Sequence, residues 1–213
     1  MSKYTIVALV GESGSGKDTL MKEVVSWKPK KFHEIISCTT RPMRENEKNG
    51  VNYYFLSEQE FYNKIAKDDF LEVSKFNNWN YGTCRSSLSM ELPNIGVFNP
   101  EGIQSLKQEK DIDLYVYRIK CSDKERLLRQ LNREIEPNVD EIVRRYKTDK
   151  KDFAIFDAES DYRVINNETK TDLTNGVLYL SGFPTIISMK RCRKAMICSA
   201  ASMAKPMLKS WSV

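Results

Sequence analysis

Histidine is almost absent: His33 is the only one in a chain of 213 residues. Cys38, Cys84, Cys121, Cys192 and Cys198 are an odd number of cysteines with no Cys-x-x-Cys spacing among them. Together these scarcities argue against a structural zinc site and for reduced thiols rather than a disulfide framework. No apolar run approaches the roughly 18 residues a helical membrane span needs. The first strand candidate starts almost at once, so neither a leader nor membrane insertion is expected, and the expected location is cytoplasmic. Acidic residues stop at Asp172, whereas Lys190, Arg191, Arg193, Lys194, Lys205 and Lys209 follow it. The net charge of +5 therefore belongs to the tail, and the body is close to neutral. A positive total of this origin gives no reason to expect a nucleic-acid partner. Repeats and low-complexity tracts are also missing.

What is present suits one α/β domain: 40% of the residues are hydrophobic and 30% charged, enough to bury a core without covalent staples. Strand signals cover 4–10, 33–37, 94–98, 112–120 and 162–165. Helix signals cover 19–27, 100–108, 123–133 and 139–153, with Ser122 placed to cap the third and Pro137 near the start of the fourth. Alternation of this kind predicts a mostly parallel sheet flanked by helices. Between 38 and 91 the pattern changes to short aromatic-rich pieces, with an Asn49-Gly50 turn and a small helix over 58–67, which predicts an inserted mixed α/β region.

Residues 11–19 read GESGSGKDT directly after the apolar run ending at Val10. Strand, glycine-rich turn and helix in that order predict a phosphate-binding loop. Gly11, Gly14 and Gly16 let backbone N–H groups, those of Ser13 and Ser15 included, curl toward phosphate oxygens. The helix start adds partial positive charge and Lys17 a full one. The usual pattern has Ser or Thr after the lysine to ligate Mg²⁺; here Asp18 stands there and Thr19 follows. Either the metal bridges Asp18 to the nucleotide or Thr19 takes the role.

From Ile35 the chain reads IISCTTRPMRENEKNGVNYYFLSEQEFYNKIAKDDFLE, with NYGT at 80–83 and RLLRQLNREIEPNVDEIVRR at 126–145. Over about residues 4–168 the sequence resembles guanylate kinases, P-loop enzymes that transfer the γ-phosphoryl of ATP to GMP. The resemblance implies a core of 1–37 and 92–172, an acceptor-binding region of 38–91 and a helical lid over about 126–145, all within a domain ending at 172. It implies that Arg41, Arg44, Tyr53 and Tyr81 grip the acceptor phosphate, and that Ser37, Glu72, Gly82 and Thr83 face the guanine. A carboxylate at Glu72 accepts from guanine N1–H and the N2 amino group, whereas adenine has no donor at N1. The lid would bring Arg129 and Arg133, four apart on one helix face, and Arg144 from the next helix over the ATP phosphates. Arg126 and Arg145 read better as surface ion pairs. Asn166, in VINN at 164–167, matches the contact to the ATP base. ATP with Mg²⁺ and GMP or dGMP are the implied partners; oligomeric state is left open.

Two departures stand out. The family's Asp-x-Asp pair falls on Val97 and Asn99 in IGVFNPEG, leaving Asn99 as the remaining polar candidate there and opening the acceptor to another deoxynucleotide or a phosphosugar. A different class of reading, a non-catalytic module that binds phosphorylated segments through Arg41, Arg44 and Tyr53, is disfavoured by the nearly intact phosphate loop. The second departure is the tail, 173–213, where Met189, Met196 and Met203 recur every seven residues, as a packing seam or a contact for an acidic surface.

Overall fold

The computed structural model describes residues 4–184 apart from Asn46, Asn77 and Glu134. The methionine-bearing stretch of the tail lies outside the described residues. Strand β1 (Tyr4–Val10) is the centre of a five-stranded sheet, with β7 (Asn94–Phe98) and β8 (Ile112–Lys120) running parallel on either side. Two shorter strands, β2 (His33–Glu34) and β9 (Arg163–Asn166), complete the order β2-β7-β1-β8-β9. Every pairing in this sheet is parallel. A central parallel strand is covered on both faces, which is why Ile6 to Val10 is an unbroken apolar run, and all five residues are fully buried.

The helices follow the pleat. Ile6, Ala8 and Val10 pack with Phe98 and Val116 against Ile103 and Leu106 of α3 (Pro100–Gln108) and Phe153 and Phe156 of α5 (Val139–Glu159). Val7 and Leu9 point to the opposite face. There α1 (Lys17–Trp27) contacts β1 and packs beside α6 (Lys170–Ser181), burying Leu20, Val24, Val177 and Leu180. Each such aliphatic side chain contributes about 1.5–3 kcal/mol on burial.

The inserted region forms its own four-stranded sheet, ordered β4-β3-β6-β5, from β3 (Cys38–Thr39), β4 (Tyr54–Phe55), β5 (Phe70–Phe76) and β6 (Trp79–Cys84). Helix α2 (Glu58–Ala66) starts from a reciprocal cap between Ser57 and Glu60. Its Phe61 stacks on Phe70 at 4.6 Å and closes a small separate core with Cys38 and Cys84.

Several boundaries differ from expectation. The strand expected over 33–37 is divided, because Ile35 still donates to Ile95 of the large sheet while the Ser37 carbonyl already accepts from Tyr54 of the small one. Helix α4 (Asp123–Leu131) stops short of 133: Asn132 ends it, and Pro137 follows within six residues. Helix α5 continues past 153 to Glu159, since Phe153 and Phe156 are both drawn into the core. The domain limit expected at 172 falls inside α6, and the compact unit runs to Gly182. Thr169 caps this helix: its hydroxyl accepts from the Asp172 amide while the Asp172 carboxylate accepts from the Thr169 amide, an arrangement worth about 1 kcal/mol. No helix among the described residues is long and apolar enough to cross a membrane.

Candidate active site

The glycine turn of residues 11–16 joins β1 to α1. Gly14 and Gly16 have φ of 80° and 85°, a left-handed backbone that disfavours any Cβ. Space forbids one as well: a Cβ on Gly14 would strike the Arg126 carbonyl, and one on Gly16 the Asn167 amide. At Gly11 a Cβ would sit 2.6 Å from the Ser15 hydroxyl. That hydroxyl is buried and has no hydrogen-bond partner, an orphaned donor inside a turn that already points toward a helix N-terminus. Such a cradle fits a chain of phosphates. Lys17 Nζ lies 4.0 Å from Asp18 Oδ2, and Asp18 and Thr19 are exposed. Among the described residues no group of three or more His, Cys, Asp or Glu side chains could hold a metal. The two oxygen donors that are present fit a magnesium ion carried in on nucleotide phosphates, which supply the rest of its coordination.

A set of buried groups holds this turn from behind. Arg118, 2% exposed on β8, donates to both carboxylate oxygens of Glu12 at 2.6 and 2.7 Å and to Asp157 at 3.0 Å. Burial pushes the Glu12 carboxyl up, but the hydrogen bonds and charge of Arg118, with Arg126, prevail and hold it below the usual carboxylate range. Arg126 of α4 is 1% exposed and donates to the Ser13 carbonyl, while the Ser13 amide donates to Asp149 of α5 at 2.7 Å. The expectation that Arg126 forms a surface ion pair is therefore wrong: its head is drawn inward by the Ser13 carbonyl, Asp123 and Asp149. Arg129 lies 3.4 Å from the carbonyls of Gly14 and Ser15 and donates to that of Glu168. Asn167, 5% exposed, donates to the Ser15 carbonyl at 2.8 Å and takes its own backbone support from Lys120. The predicted Asn166 is exposed instead and lines a cleft of about 260 Å³ with Asp172, Asn175 and Tyr179.

The acceptor-side residues gather on the small sheet. Thr83 donates to Glu72 at 2.8 Å, and Ser37 lies 3.4 Å from Thr83. A bulge in β5 between Phe70 and Glu72 lets successive side chains serve different places. Phe70 enters the small core, Leu71 the large one, and Glu72 meets Thr83. Burial raises the Glu72 carboxyl to about 7, Thr83 opposing and Glu101 adding to the rise. Gly102 closes this corner: a Cβ there would sit 3.0 Å from Glu72 Oε2 and 3.1 Å from Asn99 Oδ1. Asn99 itself caps α3 by accepting from the Gly102 amide at 2.7 Å. Gly82 is buried mid-strand, where a Cβ would meet the Phe70 ring at 2.9 Å; its small size serves packing.

Arg41 is 7% exposed and donates to Glu47 at 2.7 Å, with its guanidinium 5.5 Å from the Tyr53 and Phe55 rings. Tyr53 meets Tyr81 edge-on at 6.0 Å. Burial and then the charge of Asp18 raise the Tyr53 phenol. Burial, followed by the charges of Arg41, Arg133 and Arg145, depresses the Arg44 guanidinium. Arg44 thus sits where positive charge outweighs the opposing Glu47 carboxylate, a setting that favours an incoming anion. Arg133 belongs to the turn after α4 rather than to the same helix face as Arg129. Arg144 donates to Glu141 at 2.6 Å, and Arg145 donates to the same carboxylate at 2.7 Å, the ion pair expected of it.

The sequence profile of the family described as Guanylate kinase matches residues 3–175. The chain belongs to the guanylate kinase family. Members of this family are nucleoside monophosphate kinases, a class of phosphotransferase. The chain is 31% identical over 172 residues to the guanylate kinase of Thermotoga maritima, covering 77% of this chain and 80% of that one. Identity to the Clostridium tetani guanylate kinase is 28% over 209 residues, covering 96% and 95% of the two chains. Identity reaches 47% with the Synechococcus elongatus guanylate kinase, over 96 residues that span about half, 51%, of that relative's length. The crystal structure of guanylate kinase from Anaplasma phagocytophilum shares the fold, with a TM-score of 0.59, 19% identity, and coverage of 92% of this chain and 96% of that one.

Arg118, Glu12, Arg126 and Asn167 were not assigned to the site from sequence. For Asn167 a signal exists: Ile165 points inward, and the residue two further on shares its side of the strand.

Proposed function

We propose that this guanylate kinase family member phosphorylates GMP or dGMP with ATP by direct in-line transfer, in the cytoplasm. The observation that carries the reading is the glycine turn with its orphaned Ser15 hydroxyl, in a chain that also buries Glu72 against the Thr83 hydroxyl. In this reading the turn from Gly11 to Lys17 cradles the ATP phosphates without the two amides expected for it, since the Ser13 amide donates to Asp149 and the Ser15 amide to the Glu12 carbonyl; Lys17 and Arg129 neutralise charge on the transferred group, and Arg133, Arg144 and Arg145 complete its cover. Asn166 contacts the ATP base. Arg41, Arg44, Tyr53 and Tyr81 hold the acceptor phosphate; Ser37, Glu72 and Thr83 face its base, with Asn99 beside them. No general base is required, because the attacking phosphate oxygen is already anionic; positioning and charge stabilisation do the catalysis. Asp18 and Thr19 would hold Mg²⁺, which when bound draws off charge from the transferred phosphoryl.

A second reading keeps the kinase and changes the acceptor. Val97 stands where the family has a carboxylate, and the Asn99 oxygen accepts from the Gly102 amide, so base selection falls chiefly on Glu72 and Thr83. The test is ADP release with Mg-ATP and each of GMP, dGMP, AMP and TMP, on wild type and Arg41→Ala. Turnover on guanine nucleotides that Arg41→Ala abolishes supports the first reading; preference for another monophosphate supports the second.

A further inference from the structure

Cys38 and Cys84 place their sulfur atoms 3.5 Å apart in the small core beneath the acceptor region. Cys38 pairs with Gly82, and Cys84 is the next residue of that strand on the same side, so the two thiols are diagonal neighbours on one face of the small sheet. Continued by one residue, the same register sets Ser37 opposite Thr83 on the other face, where their hydroxyls lie 3.4 Å apart and Thr83 holds Glu72. Ser37 and Thr83 thus alternate with Cys38 and Cys84 along the same two chain segments, and Glu72 is reached through Thr83 from the neighbouring β5.

We propose that Cys38 and Cys84 are an oxidisable dithiol, converted by a peroxide to a disulfide that weakens acceptor binding. The effect on the acceptor rests on the reading of Ser37, Glu72 and Thr83 given above. Cys84 is the sulfur that reacts first. Its contact with Cys38, with the nearby Lys64 ammonium, lowers the Cys84 thiol below the usual cysteine value, while the same contact raises Cys38. The Cys84 thiolate displaces hydroxide from the peroxide O–O bond and becomes a sulfenic acid. Cys38 then attacks the Cys84 sulfur, its proton leaves with the sulfenic oxygen as water, and the S–S bond forms. Two thiols are oxidised and one peroxide is reduced to two waters.

A disulfide has its sulfurs at about 2.05 Å, so closure draws the two strands together along this diagonal. The ladder between β3 and β6 is only two residue pairs long, and it gives way more easily than the large sheet. Strand rotation that brings the thiols together on one face alters the spacing of Ser37 and Thr83 on the other.

The experiment compares the full chain treated with hydrogen peroxide or with dithiothreitol. Peptide mapping follows the thiols, and calorimetric titration follows GMP and ATP. Expected are a Cys38–Cys84 linked peptide, GMP affinity weakened about tenfold and restored by reductant, and unchanged ATP affinity. Cys84→Ala should bind GMP and lose the response to peroxide; Cys38→Ala serves if that variant melts early. Both thiols remaining alkylatable after peroxide, or a linked protein with unaltered GMP affinity, overturns the proposal. Failure of the reduced protein to bind GMP overturns the acceptor assignment instead, and the linked peptide then decides the dithiol chemistry by mass alone.

Discussion

Arg118 and Glu12 lie 106 residues apart in sequence and form a two-pronged ion pair, with both guanidinium terminal nitrogens on the carboxylate, directly behind the phosphate turn. Removing one partner from a buried pair leaves the other charge stranded. Arg118→Met should therefore destabilise the fold by about 3–5 kcal/mol, whereas Glu12→Leu combined with Arg118→Met should recover only part of that loss, since Asp157 still loses Arg118 and Arg126 loses Glu12. If the pair also positions the turn, the double variant will still bind ATP more weakly. Thermal denaturation alongside ATP titration reads both effects.

Glu72 predicts a pH dependence of known sign. Its carboxyl is raised from 4.5 to about 7 in the fold, so the folded protein holds a proton that the unfolded chain releases. Its favourable contribution is complete below pH 4.5 and is lost as pH rises to about 7, in all about 3 kcal/mol. Glu72→Gln should flatten that slope in denaturant titrations at several pH values.

Guanine recognition by the same carboxyl needs the ionised form. The kcat/KM for GMP should rise with an apparent pKa near 7 and level off above it. The acceptor phosphate itself titrates near pH 6, roughly, so the profile of Glu72→Gln is the control. A rise that survives in the variant belongs to the nucleotide.

The adjacent asparagines should part company. Asn167→Ala removes a buried donor from the Ser15 carbonyl and should cost about 1–3 kcal/mol, together with weaker ATP binding. Asn166→Ala should leave stability unchanged and alter only the KM for ATP. Melting temperatures and ATP saturation curves of the two variants check this.

Arg145→Ala relieves repulsion on Arg44 and removes attraction for the incoming phosphates. Turnover should fall by about tenfold or more while the melting temperature holds, and the dependence of kcat/KM on ionic strength should become shallower.

The large sheet was legible because buried parallel strands are apolar without interruption, as at Ile6–Val10, and because the glycine turn carries its chemistry in its spacing. Arg126 was misread because a charged residue on a polar helix looks solvated until the chain brings Ser13 and Asp149 to it from other elements. Helix α6 was missed for a different reason. The loss of acids after Asp172 suggests a domain limit there, whereas Thr169-x-x-Asp172, a capping pattern readable in the sequence, marks a helix start. Arg133 shows the reverse error, since a four-residue spacing counts as a helix face only while the helix continues.

Helix α6 also bears on how the chain matures on the ribosome. A Cβ on its Gly176 would crowd both Ile165 and Leu20, so this helix seats directly on the last strand and the first helix. Until residues 170–181 have emerged, the nascent polypeptide presents Leu20, Val24 and Ile165 uncovered, and native closure must wait for nearly the whole domain to be synthesised. During that interval the half-made sheet is a natural client for chaperones that bind apolar surface.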